Sequence, residues 1–158
     1  MKPNLKLTMA QVQADMFSAA DAIKRAENMP SKESKYVKGM AGYHLQRAAE
    51  KMIKIQLYSS GAALNYARIY RHSLDDLIIY AGSIGVMLSV PAYVRKYKSV
   101  ISDWEAQGRY DVHFVVRIDQ LKRHTKRYLH GMRSSLKKAI SSPSNRSRFD
   151  WSNNGFSE

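Results

Sequence analysis

Two histidines near the C-terminal end each stand seven residues after an arginine: Arg117 precedes His124, and Arg123 precedes His130. Seven residues are nearly two α-helical turns, so each pair shares one helix face. Histidine exchanges protons close to neutral pH, and arginine keeps its charge and presents a planar fork of donors to an oxyanion. Together they suit acid–base chemistry beside an anion, with no metal required. A helix crowded with basic residues also produces such spacings by chance, and the same side chains then form a solvated face. Other constellations are missing. The sequence has no phosphate loop ending in Gly-Lys-Ser/Thr, no His-Glu-x-x-His and no nucleophile elbow. Its acids are too few and scattered for a carboxylate-bridged metal centre, and the lack of cysteine removes disulfides and thiolate ligands. No metal and no cofactor is expected.

The elements that must position these residues are helices. Thr8 and Gln11 form a Thr-x-x-Gln capping box, followed by Met9, Val12, Met16, Ala19, Ala20 and Ile23 at helical spacing, which predicts a helix to about Glu27. Asn28-Met29-Pro30-Ser31 breaks it. A long second helix is predicted from near Ser34 to Ser59, with Val37, Met40, His44, Leu45, Ala48, Met52, Ile55 and Gln56 on or beside one stripe, and Ser60-Gly61 as its stop. Ala62 to Arg71 carries no clear pattern. Ser73 and Asp76 cap a short helix to about Tyr80; Ser89-Val90-Pro91 opens another that stops at Gly108; and a last helix from about Val112 carries Val115, Ile118, Leu121, Thr125, Leu129, Met132 and Leu136. No alternating pattern lasts long enough for a sheet. The expected architecture is all-α, an up-and-down bundle of about five helices in one domain, residues 1–140. Residues 141–158, rich in serine and asparagine, read as a flexible, disordered basic tail.

Charge is concentrated at one end. The formal net charge is +13, and from Arg117 to Arg148 there are 10 Lys/Arg against Asp119 alone. Such a stripe attracts polyanions over long range, and nucleic acid releases counterions when basic side chains neutralise its phosphates. The opening Met-Lys-Pro-Asn-Leu-Lys-Leu-Thr lacks an apolar h-region, and no stretch approaches the roughly 20 apolar residues of a membrane span. A cytoplasmic protein with no membrane contact is expected.

Ala48 to Gly61 reads Ala-Ala-Glu-Lys-Met-Ile-Lys-Ile-Gln-Leu-Tyr-Ser-Ser-Gly, and His72 to Leu77 reads His-Ser-Leu-Asp-Asp-Leu. This arrangement resembles the HEPN family of small helical bundles, whose members carry an Ala-x-Glu-Lys-like helix followed by His-x-Leu. The resemblance covers roughly Val37 to Leu136. The subgroup it points to has an Arg-Tyr-Pro motif before its last helix; here Arg109-Tyr110-Asp111 keeps the first two residues and loses the proline, leaving Asp111 free to cap the last helix.

The resemblance implies a nucleotide- or RNA-binding module that accompanies a nucleotidyltransferase partner, as in a toxin–antitoxin pair. It assigns Glu50, Lys51, Lys54, His72, Arg109 and Tyr110 to ligand binding. It also implies a metal-independent ribonuclease as an alternative, since HEPN-like ribonucleases place a histidine a few residues after an arginine. Arg123 with His130, or Arg117 with His124, would then neutralise the scissile phosphate and move the 2′-hydroxyl or leaving-group proton. Structural readings stand beside these. Glu50 and Lys54 suit an i,i+4 surface ion pair, His72 precedes a helix cap, and Arg109 follows a glycine at a helix end. Ten tyrosines, apolar rings with polar tips, suit a core margin or an interface, and since HEPN-like domains often pair through their bundles the resemblance implies a homodimer. A third alternative is a structural protein that binds DNA without sequence preference through its basic end.

Overall fold

The computed structural model describes residues 4–110, 119, 122–128, 130, 131 and 134, with side chains for all of these except Lys6 and residues 106–110. The fold is an all-α helical bundle, with no strand among the described residues. Its elements are α1 (Leu5–Glu27), α2 (Ser31–Ser59), the single turn α3 (Tyr66–Ile69), α4 (Leu74–Ser83), α5 (Ala92–Lys96) and α6 (Lys98–Tyr110), with helical backbone again at 122–128. The expected tail, 141–158, lies outside the described residues.

Helix α1 begins one turn earlier than its capping box suggests. Asn4 is the N-cap: its side-chain oxygen accepts from the Leu7 N–H at 3.2 Å, and Thr8 turns its hydroxyl back to the Asn4 carbonyl at 2.9 Å. Asparagine is as good a cap as threonine, and the earlier one adds a turn of backbone hydrogen bonds. Helix α2 likewise starts at Ser31, directly after Pro30, whose ring carries no N–H for the helix to lose. Helix α1 folds back on α2 across this three-residue break and buries Val12, Met16, Ala19, Ala22, Ile23 and Ala26 against it. Ala20 stays exposed.

Helix α2 is the centre of the bundle. Helices α1, α4 and α6 all pack on it, and between Ala41 and Leu57 it is buried on nearly every side. Leu45, Ala48 and Leu57 are fully buried, each leucine worth about 1.5–3 kcal/mol. Met40, expected on the apolar stripe, is 49% exposed. At the far end Gly61, at φ +75°, turns the chain out of the helix in a conformation that favours glycine.

The segment read as one helix from Pro91 to Gly108 is two. Tyr97, at φ −110° and ψ 20°, separates α5 from α6. Helix α6 then passes through Gly108 to Tyr110, so glycine does not stop it there. Trp104 of α6 lies over Gly42 of α2, with Cβ and Cγ 3.4 Å from where a β-carbon would stand, and this bare backbone lets the two helices approach. Gln56 anchors the loop between α4 and α5: its amide nitrogen donates to the Ser89 carbonyl at 3.3 Å and its oxygen accepts the Ser89 N–H at 2.7 Å.

Candidate functional site

The Ser73 cap holds as the sequence suggests, and it fixes the residue before it. The Ser73 hydroxyl accepts from the Asp76 N–H at 3.2 Å, and Ser102 of α6 accepts from the Leu74 N–H at 2.9 Å. Two donors at the start of α4 are thereby satisfied, and Asp75 and Asp76 lie where the helix dipole favours acids. The chain entering α4 is pinned to α2 as well, because Gln46 donates from its amide to the His72 carbonyl at 2.8 Å. His72 is thus delivered to the flank of α2.

There it meets Glu50, whose residue is 2% exposed. Burying a carboxylate is costly unless donors replace its water. Four do. Lys54 Nζ lies 2.6 Å from Oε1; Arg47 Nη1 and Gln46 Nε2 lie 3.2 and 3.3 Å from Oε2; and His72 Nδ1 is 3.2 Å from both oxygens. His72 Nδ1 donates to the carboxylate in the tautomer that carries its hydrogen there, and in the other tautomer it accepts from Arg47 Nη1, 3.3 Å away. The His72 side chain is 53% exposed and Arg47 26%, so the cluster reaches solvent through these two side chains while its acid stays inside.

Of the residues that the family resemblance groups together, Glu50, Lys54 and His72 are brought together. Lys51 lies on the same face of α2 but pairs with Asp15 of α1 instead of joining Glu50. Arg109 and Tyr110 continue the backbone of α6, and their side chains lie outside the described residues. Arg47 was missed although it stands three residues before Glu50; the signal was there, since His44, Arg47, Lys51 and Lys54 recur at helical spacing on one face.

The two arginine–histidine pairs fare differently. Arg117 lies outside the described residues. His124 faces inward: its Nε2 pairs with the Tyr93 hydroxyl, and its ring packs with those of Tyr93, Tyr97 and Trp104, whose centroids are 4.3, 5.8 and 5.8 Å away. Its Nδ1 is buried without a partner among the described residues. Burial, with the nearby Arg127 charge adding to it, holds the His124 pKa below the usual histidine value. Arg123 and His130 are both exposed, and Arg123 stands 4.0 Å from Asp119. Lys122 pairs with Glu27, which ties the 122–128 segment to the end of α1.

No helix among the described residues is long and apolar enough to cross a membrane, and no group of three or more His, Asp or Glu side chains there could hold a metal ion. Comparison with protein-family models, with curated proteins and with solved structures gives no match.

Proposed function

We propose that this chain is a HEPN-like module that binds a nucleotide or RNA by its phosphates, acting as a homodimer beside a nucleotidyltransferase or toxin–antitoxin partner. One observation supports this above the rest: a buried carboxylate, Glu50, orients Arg47, Lys54 and His72 at the surface of α2. Fixed cations lose little conformational freedom when an anion arrives, so a phosphate meets donors already aimed. The excess of basic residues toward the C-terminal end would draw a polyanion to the same molecule.

The test is nucleotide and RNA titration of the unaltered chain, of Lys54→Ala and of Arg109→Ala, each checked for helix content by circular dichroism. Saturable binding that weakens about tenfold or more in Lys54→Ala supports the reading. Equal binding by the folded variants would sink it. The ribonuclease alternative keeps one specific support, the joint exposure of Arg123 and His130. RNA cleavage in the presence of EDTA, lost in Arg123→Ala/His130→Ala, would establish that activity in place of simple binding.

A further inference from the structure

Beside the Glu50 cluster, α2 carries a second polar group in its seam with α1. Asp15 meets His44 Nδ1 at 2.9 Å through one oxygen and accepts from Lys51 Nζ at 2.6 Å through the other. These side chains are 13, 23 and 17% exposed, so they are sunk and held rather than free in solvent. Tyr43 stands edge-on to the His44 ring at 5.2 Å between centroids. With Nδ1 turned onto the carboxylate, Nε2 is the nitrogen His44 has left for another partner, and Lys51 retains two of its three donors.

His44, Arg47, Lys51 and Lys54 follow one another at intervals of three, four and three residues. They fall within about 80° round the helix axis and span about 15 Å along it, which makes one row. The row is divided between two acids: Asp15 orients His44 and Lys51, and Glu50 orients Arg47 and Lys54. Two neighbouring polar clusters result, each aimed by its own carboxylate.

Charge then selects the ligand. Arg47, Lys51 and Lys54 against Asp15 and Glu50 leave a small positive surplus while both histidines are neutral. A compact triphosphate would bring several negative charges against both acids at once, whereas a phosphodiester chain brings one charge per nucleotide, spread along the row. We propose that His44 and Lys51 form a second phosphate subsite next to Arg47, Lys54 and His72, so that the row takes two successive phosphodiesters of single-stranded RNA in preference to a free nucleotide. This rests on the phosphate-binding reading of the Glu50 cluster.

The experiment titrates the full chain with adenosine monophosphate, ATP and the oligoadenylates ApA and ApApA, which carry one and two phosphodiesters, at several salt concentrations. Going from ApA to ApApA should raise affinity about tenfold or more, and steepen the dependence of log affinity on log salt by about 0.7. Asp15→Asn/Lys51→Gln removes one charge of each sign and retains an amide pair, so net charge is constant. In that variant both increments should vanish while ApA binding stays. His44→Asn retains a donor for Asp15 but removes Nε2, and should reduce the increment with little structural change. Increments that persist in both variants, or ATP bound as tightly as ApApA, would overturn the second subsite alone. Failure of the unaltered chain to bind any of the four probes would overturn the phosphate reading of the Glu50 cluster, and the second subsite with it.

Discussion

Replacing Lys54 by methionine tests whether Glu50 is a buried charge that depends on its partners. The substitution keeps the side-chain length and removes the shortest of the four contacts, 2.6 Å from Nζ to Oε1. A charge-assisted hydrogen bond of this kind contributes about 1.5–3 kcal/mol. Stranding a buried charge entirely costs about 3–5 kcal/mol, but Arg47, Gln46 and His72 still donate to Glu50. The expected loss is therefore about 2 kcal/mol. Glu50→Gln should cost less, about 1 kcal/mol, because it keeps an amide oxygen that can accept from the 14% exposed Lys54, while Arg47 and His72 are partly exposed and can turn to water. In the Glu50→Gln background Lys54→Met should then cost under about 0.5 kcal/mol, as an uncoupled side chain would. Urea denaturation followed by circular dichroism measures all four proteins, and with a slope of about 2 kcal/mol per molar the first variant shifts the midpoint by about 1 M. If Lys54→Met costs the same with and without Glu50, the pair behaves as an exposed surface bridge and the reasoning fails.

Other outcomes follow from single contacts. Because the folded pKa of His124 is lowered from its ordinary value by burial first and Arg127 second, the unfolded chain takes up its proton first as pH falls, and this contribution to stability is lost progressively below about pH 6.5. Urea midpoints from pH 7.5 to 5 should show a shallower decline in His124→Phe, and an unchanged decline would refute the assignment. Gly131→Ala would place a β-carbon 2.8 Å from Pro91 Cγ. Overpacking of about 1–3 kcal/mol should outweigh the gain of up to about 1 kcal/mol in helix propensity, so melting should occur at a lower temperature and a stabilised variant would refute the contact. Gln56→Ala removes both bonds to the Ser89 backbone and should cost about 2 kcal/mol. Its signature in hydrogen exchange is faster labelling of the Ser89 amide, with Leu45 and Ala48 in α2 unaffected.

Local signals in this chain were readable wherever a residue acts on its own backbone. Ser73 caps α4, Gly61 follows the end of α2, and Val12, Met16, Ala19 and Ile23 mark the inner face of α1, all from spacing and side-chain type. The misreadings arose where two local signals compete or where packing intervenes. Asn4 and Thr8 both qualify as caps, and the backbone takes the earlier one. Nothing in the run from Pro91 to Gly108 marks Tyr97 as the break between α5 and α6; its ring lies 4.7 Å from that of Tyr93, and both pack on His124, a residue far along the chain. Met40 sits on the periodic stripe yet is exposed.

Sequence by itself determined the helical class, the ends of α1 and α2 at Glu27 and Ser59, the cap of α4 and the concentration of positive charge, because each depends on periodicity, caps or composition; the grouping of Glu50, Lys54 and His72 came from the family resemblance. Tertiary structure decided what that polar group is. Only the packing of α4, α6 and the chain before Ser73 onto α2 buries Glu50 and turns a pair that spacing alone assigns to the surface into the anchor of four donors. Only the pairing of α1 with α2 joins Asp15 to His44 and Lys51, 29 and 36 residues away. The physical reason is that helical periodicity says which residues share a face, while the cost of burying a charge depends on which other element comes to lie against that face.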